Sequence, residues 1–294
     1  MQALSFYLVY PWIYLIALLP FRVLYRVSDF FYHVIWFSGY RKKVVYQNLR
    51  NSFPEKNKKE IDAIAKAYSR YLCDLTLETL KTLKMTADEN RERCSFQHTD
   101  WLDQLYADKK SFIIVMGHYG NWEWAGPSFT LNTKFQLVVI YRPLRNTYFE
   151  KMLSGMRTHF GTRITPTKDT LREMVANRKN VTATALIADQ NATPQNAYWT
   201  TFLNQDTAVF PGPEKLAVKF NYPVVYMNVK RVKRGYYEII PELLFADSAS
   251  TSENEISETF TKRLEKEIIL DPIIWLWSHK RWKHKRPVPS DRFV

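Results

Sequence analysis

Cysteine is almost missing from this chain. Cys73 and Cys94 are the only two among 294 residues, and they lie far apart. That argues against a disulfide framework or a cysteine zinc site, and makes a reducing compartment the default. There is no Gly/Ser-rich linker, low-complexity tract or internal repeat. One globular domain behind an N-terminal appendage is therefore expected, with the appendage over 1–40 and the main domain over 41–294. No Gly-x-Ser-x-Gly elbow occurs, so the nucleophile of an α/β-hydrolase is not expected. Zinc-finger and RNA-recognition signatures are also lacking, which argues against a nucleic-acid-binding protein.

The first 21 residues lack charge altogether; Arg22 is the first charged side chain. A stretch of that length can cross a bilayer if helical, although Pro11 and Pro20 interrupt it. No basic segment precedes it and no small-residue cleavage site follows, so a cleaved signal peptide is not expected. A second aromatic stretch, Phe30 to Tyr40, contains no Asp, Glu, Lys or Arg and runs into Arg41, Lys42 and Lys43. With the positive charges on that side, the bulk of the protein is expected in the cytoplasm. The alternative is a buried hydrophobic helix or hairpin.

What is abundant is positive charge and aromatic surface. A formal charge of +13 points to an anionic partner, whether nucleic acid, an acidic membrane surface, an acidic protein or a phosphorylated substrate. Aromatic residues make up 15% of the chain, which suits a membrane interface or a large aromatic core equally.

Asn57 and Glu60 form a capping-box pattern ahead of apolar residues at helical spacing (Ile61, Ile64, Ala65, Tyr68, Leu72, Leu75), so a long helix to about Leu83 is expected. A short helix is expected over 101–106. Beyond it, expected strands at 112–116, 136–141, 181–187, 223–230 and 236–240 alternate with expected helices at 122–131, 146–159, 168–178, 214–220 and 254–269. That alternation predicts an α/β protein, an αβα sandwich around a largely parallel mixed sheet, with a hydrophobic helix or hairpin at its N-terminus. Asp189 to Pro213 shows little periodicity and is expected to be a long, functional loop.

The chemistry is expected at Ser111 to Trp124, SFIIVMGHYGNWEW, where an apolar strand ends at Gly117 and delivers His118, with Glu123 five residues on. A neutral imidazole can take a proton from an attacking hydroxyl. A carboxylate on its other ring nitrogen fixes the tautomer and stabilises the imidazolium. Spacing alone is weak support, because His98 and Asp103 repeat it in a charged region that reads as solvated surface. A structural histidine at a helix N-terminus remains the alternative. With no protein nucleophile in sight, the nucleophile would be the substrate's own hydroxyl.

The flanking residues go further. GHYGNWEW after an apolar strand closely resembles the lipid A late acyltransferase family, within the lysophospholipid acyltransferase superfamily. Tyr141-Arg142-Pro143, Arg157 in MRTHFG, Ala188-Asp189-Gln190, Phe210-Pro211-Gly212-Pro213 and the terminal WLWSHKRWKHKRP follow in order. Asn48-Leu49 and Phe53-Pro54 fit upstream, so the resemblance covers about residues 40 to 287.

The resemblance implies a membrane-bound enzyme that moves a fatty acyl chain from acyl carrier protein to a hydroxyl of a lipid A precursor, at the cytoplasmic face of a bacterial inner membrane. An amino-acid lipid or a lysophospholipid is the alternative acceptor, and a basic nucleic-acid-binding protein or an inactive membrane scaffold the non-enzymatic alternative. His118 would be the general base and Glu123 its orienting partner. Arg142 and Arg157 would hold a phosphate or polarise the thioester carbonyl. Asp189 would orient one of these arginines or cap a turn. Gln190 belongs to the same block as a substrate-binding candidate, and Gly212 would allow close backbone approach. The basic segment His279 to Arg286, interleaved with Trp275, Trp277 and Trp282, is expected to meet anionic headgroups or acidic carrier protein. No metal or cofactor is implied.

Overall fold

The computed structural model describes residues 2–287; the last seven residues of the expected main domain lie outside that range. Two helices open the chain, α1 (Gln2–Leu18) and α2 (Phe21–Ser38), followed by α3 (Lys42–Ser52), α4 (Lys58–Lys81) and α5 (Ala87–Arg93). Then come β1 (Cys94–Phe96), α6 (Asp100–Ala107), β2 (Phe112–Met116), α7 (Trp122–Asn132), β3 (Gln136–Tyr141), α8 (Thr147–Thr158), β4 (Arg163–Pro166), α9 (Thr170–Ala176) and β5 (Thr182–Ile187). The chain continues through β6 (Tyr198–Phe202), β7 (Gln205–Val209), α10 (Gly212–Phe220), β8 (Val224–Lys233), β9 (Tyr236–Phe245) and α11 (Glu255–Leu270).

Seven strands form one sheet in the order β1-β9-β8-β2-β5-β3-β4. Neighbours run parallel except β8 and β9, which form an antiparallel pair. Every residue of β2 is buried, as a parallel strand covered on both faces requires. The two faces can be assigned from alternation. Phe112 meets Phe129 of α7 edge-on at 6.3 Å. Val115 points the other way and shares a register position with Tyr226, whose ring lies 6.2 Å from Phe260 of α11. Helices α7 and α11 therefore cover opposite faces, and the sheet is a largely parallel one flanked by helices.

The capping box at Asn57 and Glu60 starts α4, which buries Ile61, Ala65, Tyr68 and Leu75. The expected loop after Asp189 differs from the expectation: it contains the two-stranded β6–β7 hairpin. Its two-residue turn is Leu203-Asn204, with φ of 50° and 61°. Both central residues of such a turn need positive φ, and neither is the glycine that usually signals it.

Among the described residues, no helix is long and apolar enough to cross a membrane. The uncharged N-terminal stretch is instead the single helix α1, which ends before Pro20, and together with the charged α2 it lies against the body of the protein. Buried Lys81 donates from Nζ to the carbonyls of Ala17 and Leu19, at 3.1 and 3.0 Å, and so caps the end of α1. On α2, Ser28 Oγ donates to Asp74 Oδ1 at 2.6 Å. Arg234, in the β8–β9 turn, reaches both Asp74 and Asp29, at 2.7 and 2.9 Å.

The turn after β2 leaves no room for a side chain at Gly120. Its φ is +63°, and a Cβ there would sit 2.3 Å from the Val229 carbonyl oxygen. Gly120→Ala combines a left-handed backbone with overpacking and should destabilise the protein by roughly 2–5 kcal/mol. Denaturant unfolding measures this directly, and a loss below about 1 kcal/mol would contradict the packing described.

Candidate active site

Parallel register assembles the centre. Met116 at the end of β2 pairs with Ile187 at the end of β5, and Ala188 N–H donates to the Met116 carbonyl. Two residues on from that pair, His118 and Asp189 stand side by side. Nδ1 of His118 lies 2.6 Å from Asp189 Oδ1, and the His118 backbone N–H donates to Oδ2 at 2.9 Å. The Asp189 side chain is 3% exposed and that of His118 17%. Burial alone would raise the Asp189 carboxyl. The histidine's charge, its ring and backbone N–H groups and the Trp275 indole outweigh burial and hold the carboxyl down at about 2. Asp189 is thus a carboxylate at neutral pH, and Nδ1 carries the proton it accepts. Nε2 is left as the basic nitrogen, with the Gln190 amide nitrogen 3.2 Å away.

Glu123 makes no hydrogen bond to His118, contrary to the expectation. It lies in the first turn of α7 and faces α8, where Arg157 grips it with two bonds: Nε to Oε2 at 3.1 Å and Nη2 to Oε1 at 2.7 Å. The turn through Gly120 and the helix start carry it away from the β5 side on which His118 Nδ1 points. The equivalent spacing at His98 and Asp103 does form a hydrogen bond, at 2.7 Å, but on exposed surface. Burial tends to lower the Arg157 pKa; its bonds to Glu123 and the charge of nearby Glu150 raise it overall, so Arg157 remains a cation. Asp189, expected to orient an arginine or cap a turn, orients the histidine.

His118, Trp122, Glu123, Arg142, Arg157 and Gln190 line one cavity of about 510 Å³ at the C-terminal ends of β2, β3 and β5, where open parallel sheets place their ligands. Arg142 is exposed there. Gly212 is not part of this lining. It opens α10 with the Phe210 ring against it, and a Cβ would meet that ring at 2.2 Å.

Two of the three C-terminal tryptophans are core rather than surface, and Trp282 is half-buried against them. Trp275 and Trp277 are fully buried. Trp275 Nε1 donates to Asp189 Oδ2 at 2.8 Å. Residues 274–276 bond along residues 118–120: Gly120 N–H donates to the Ile274 carbonyl at 3.0 Å, and Leu276 N–H to the His118 carbonyl at 3.2 Å. Sequence reasoning missed this support, and the ordered tryptophans were its one visible trace.

Behind the helix start sits a buried carboxyl, Glu78 of α4. It accepts from Asn121 Nδ2, Tyr25 Oη and Tyr237 Oη, each at 2.8 Å. Asn121 in turn caps α7 by accepting from Trp124 N–H at 3.0 Å.

The fold and the site together define an α/β protein with a histidine–aspartate pair at the open end of its sheet and two arginines across the cavity. The sequence model of the bacterial lipid A biosynthesis acyltransferase family matches residues 1–284, and the chain belongs to that family. It is an acyltransferase, as the resemblance implied. Among curated proteins, none matches the chain significantly.

Burial pushes the Glu78 carboxyl up to about 7, against the three hydrogen bonds that lower it. A raised folded pKa means the native state holds the proton more tightly. That stabilisation is complete below the ordinary carboxyl range and is lost as pH rises through about 7. Glu78→Gln cannot ionise. Its stability relative to wild type should improve between pH 5 and pH 8 in urea unfolding, and a constant difference would refute the buried-acid assignment.

Proposed function

We propose that the protein transfers a fatty acyl chain from acyl carrier protein to a hydroxyl of a lipid A precursor, with His118 as general base and Asp189 as its orienting carboxylate. The His118–Asp189 bond carries this reading, because it leaves Nε2 as the proton acceptor beside a cavity lined by two arginines. An acceptor hydroxyl reaching Nε2 takes the place of the Gln190 amide. As its oxygen attacks the thioester carbonyl, its proton passes to Nε2, and Asp189 stabilises the imidazolium. That attack forms the C–O bond and a tetrahedral intermediate, whose collapse restores the carbonyl, breaks the C–S bond and returns the proton from Nε2 to the departing thiolate.

Arg157, fixed by Glu123, is positioned to stabilise the developing oxyanion, a group that gains most from preorganised donors. Glu123 therefore acts through Arg157. Arg142 has no hydrogen-bond partner among the described residues and is suited to a lipid phosphate.

Membrane association is supported by exposed apolar stripes at helical spacing: Leu4, Leu8, Trp12 and Leu15 on α1, and Phe30, Val34 and Phe37 on α2. Such a face suits a helix pair lying in the plane of a cytoplasmic leaflet rather than crossing it. Lys280, Lys283, Lys285 and Arg286 line a separate basic cavity of about 690 Å³, which suits the acidic carrier protein or anionic headgroups.

Mass spectrometry of lipids from cells with and without the gene should reveal one missing acyl chain on the lipid A precursor. An unchanged lipid profile would overturn the reading. With purified enzyme and acyl carrier protein thioesters, His118→Ala should lose about 10²–10⁴ in kcat. Asp189→Asn should lose a comparable factor, and full activity in either variant would remove the mechanism.

A further inference from the structure

A second cavity, of about 490 Å³, lies between α1 and α8. Its walls are mainly Phe6, Tyr7 and Tyr10 from α1, and Tyr148, Met152 and Met156 from α8. Thr82 and Met156 line both this groove and the catalytic cavity, so the two adjoin. Arg157 follows Met156 directly and turns the other way to meet Glu123.

The groove's walls are fixed in place. Lys81 holds the C-terminal end of α1. At the other end, Asn146 Nδ2 donates to the Gln2 carbonyl at 3.3 Å and Gln2 Nε2 donates to the Arg145 carbonyl at 3.3 Å. Phe6 packs edge-on against Phe149, 5.1 Å between centroids. Within this wall stands a helical glycine, Gly155, at which a Cβ would meet nothing within 4 Å. A mid-helix glycine costs about 1 kcal/mol relative to alanine, and neither close packing nor a positive φ requires one here. Gly155 is exposed, on the same helix face as the groove residues Lys151 and His159, and a side chain there would project into open space along the groove.

We propose that the groove between α1 and α8 receives the acyl chain of the donor, and that Gly155 sets the chain length it accepts. This rests on the acyl-transfer reading above. A donor carries a single chain joined directly to the reacting carbonyl, so a chain seated here starts in the catalytic cavity and passes Met156 and Thr82 into the groove. Tyr7 is exposed beside the apolar stripe of α1, which places the groove's outer wall at the proposed membrane face.

The test uses the full-length enzyme with carrier-protein thioesters from decanoyl to hexadecanoyl. Gly155→Ala and Gly155→Leu both favour the helix, so folding is preserved. Leucine adds about four carbons to the groove, and each methylene excluded costs roughly fourfold. The ratio of long-chain to short-chain kcat/KM should therefore fall by about 10²-fold in Gly155→Leu and by a few-fold in Gly155→Ala. A donor with a diazirine at its chain terminus should label residues of α1 or α8 in wild type. An unchanged length profile in Gly155→Leu, or labelling confined to other elements, overturns the groove assignment while leaving wild-type acyl transfer intact. A raised KM for the lipid acceptor with an unchanged donor profile would give the groove to the acceptor and overturn it too. Absence of transfer from every donor in wild type would instead defeat the acyl-transfer reading itself.

Discussion

Parallel hydrogen bonding between β2 and β5 sets the distances at the centre of this molecule. Once Met116 lies opposite Ile187, the next residues of both strands leave the sheet together, and an imidazole meets a carboxylate 71 residues away in sequence. A shift of one residue would turn every β5 side chain to the other face and separate the pair. The register is held by burial on both faces: β2 is wholly apolar, and its alternate side chains face α7 and α11.

Two layers of support surround that pair. On the β5 side, the Trp275 indole and the His118 backbone N–H occupy the Asp189 oxygen that the imidazole leaves free, so the carboxylate is fully satisfied although buried. On the α7 side, Glu78 gathers hydrogen bonds from α2, α7 and β9 and fixes the helix start from which Glu123 projects. Arg157 then crosses from α8 to Glu123. The two carboxylates near the centre serve different partners, Asp189 the imidazole and Glu123 the guanidinium cation of Arg157.

Local signals in the sequence were enough for local structure. The apolar runs at 112–116 and 136–141 are β2 and β3 to the residue, and the Asn57–Glu60 box starts α4 where expected. Register was not legible, because pairing between strands is a property of two distant segments. The choice of Asp189 over Glu123 as the partner of His118 followed register, so spacing along the chain misled. The β6–β7 hairpin was hidden by a turn built from Leu203 and Asn204 in place of glycine. The short strands β1 and β4 are edge strands of three and four residues, too brief to show a period. The tryptophans near the C-terminus looked like a surface motif because basic residues surround them, yet Trp275, Trp277 and even Arg281 are buried.

The Arg234 clasp on α2 has a consequence for how the chain matures. Synthesis delivers the apolar faces of α1 and α2 first, but the guanidinium that ties α2 to Asp74 comes from a hairpin 160 residues beyond Asp74. The indole that secures Asp189 comes later still. Contacts of such long range form slowly, so α2 lacks its Arg234 tie until the hairpin has folded. During that interval a nascent chain presents a greasy, half-anchored helix pair to its surroundings. A lipid surface that takes up this pair early would shelter it from aggregation while the sheet is still being made.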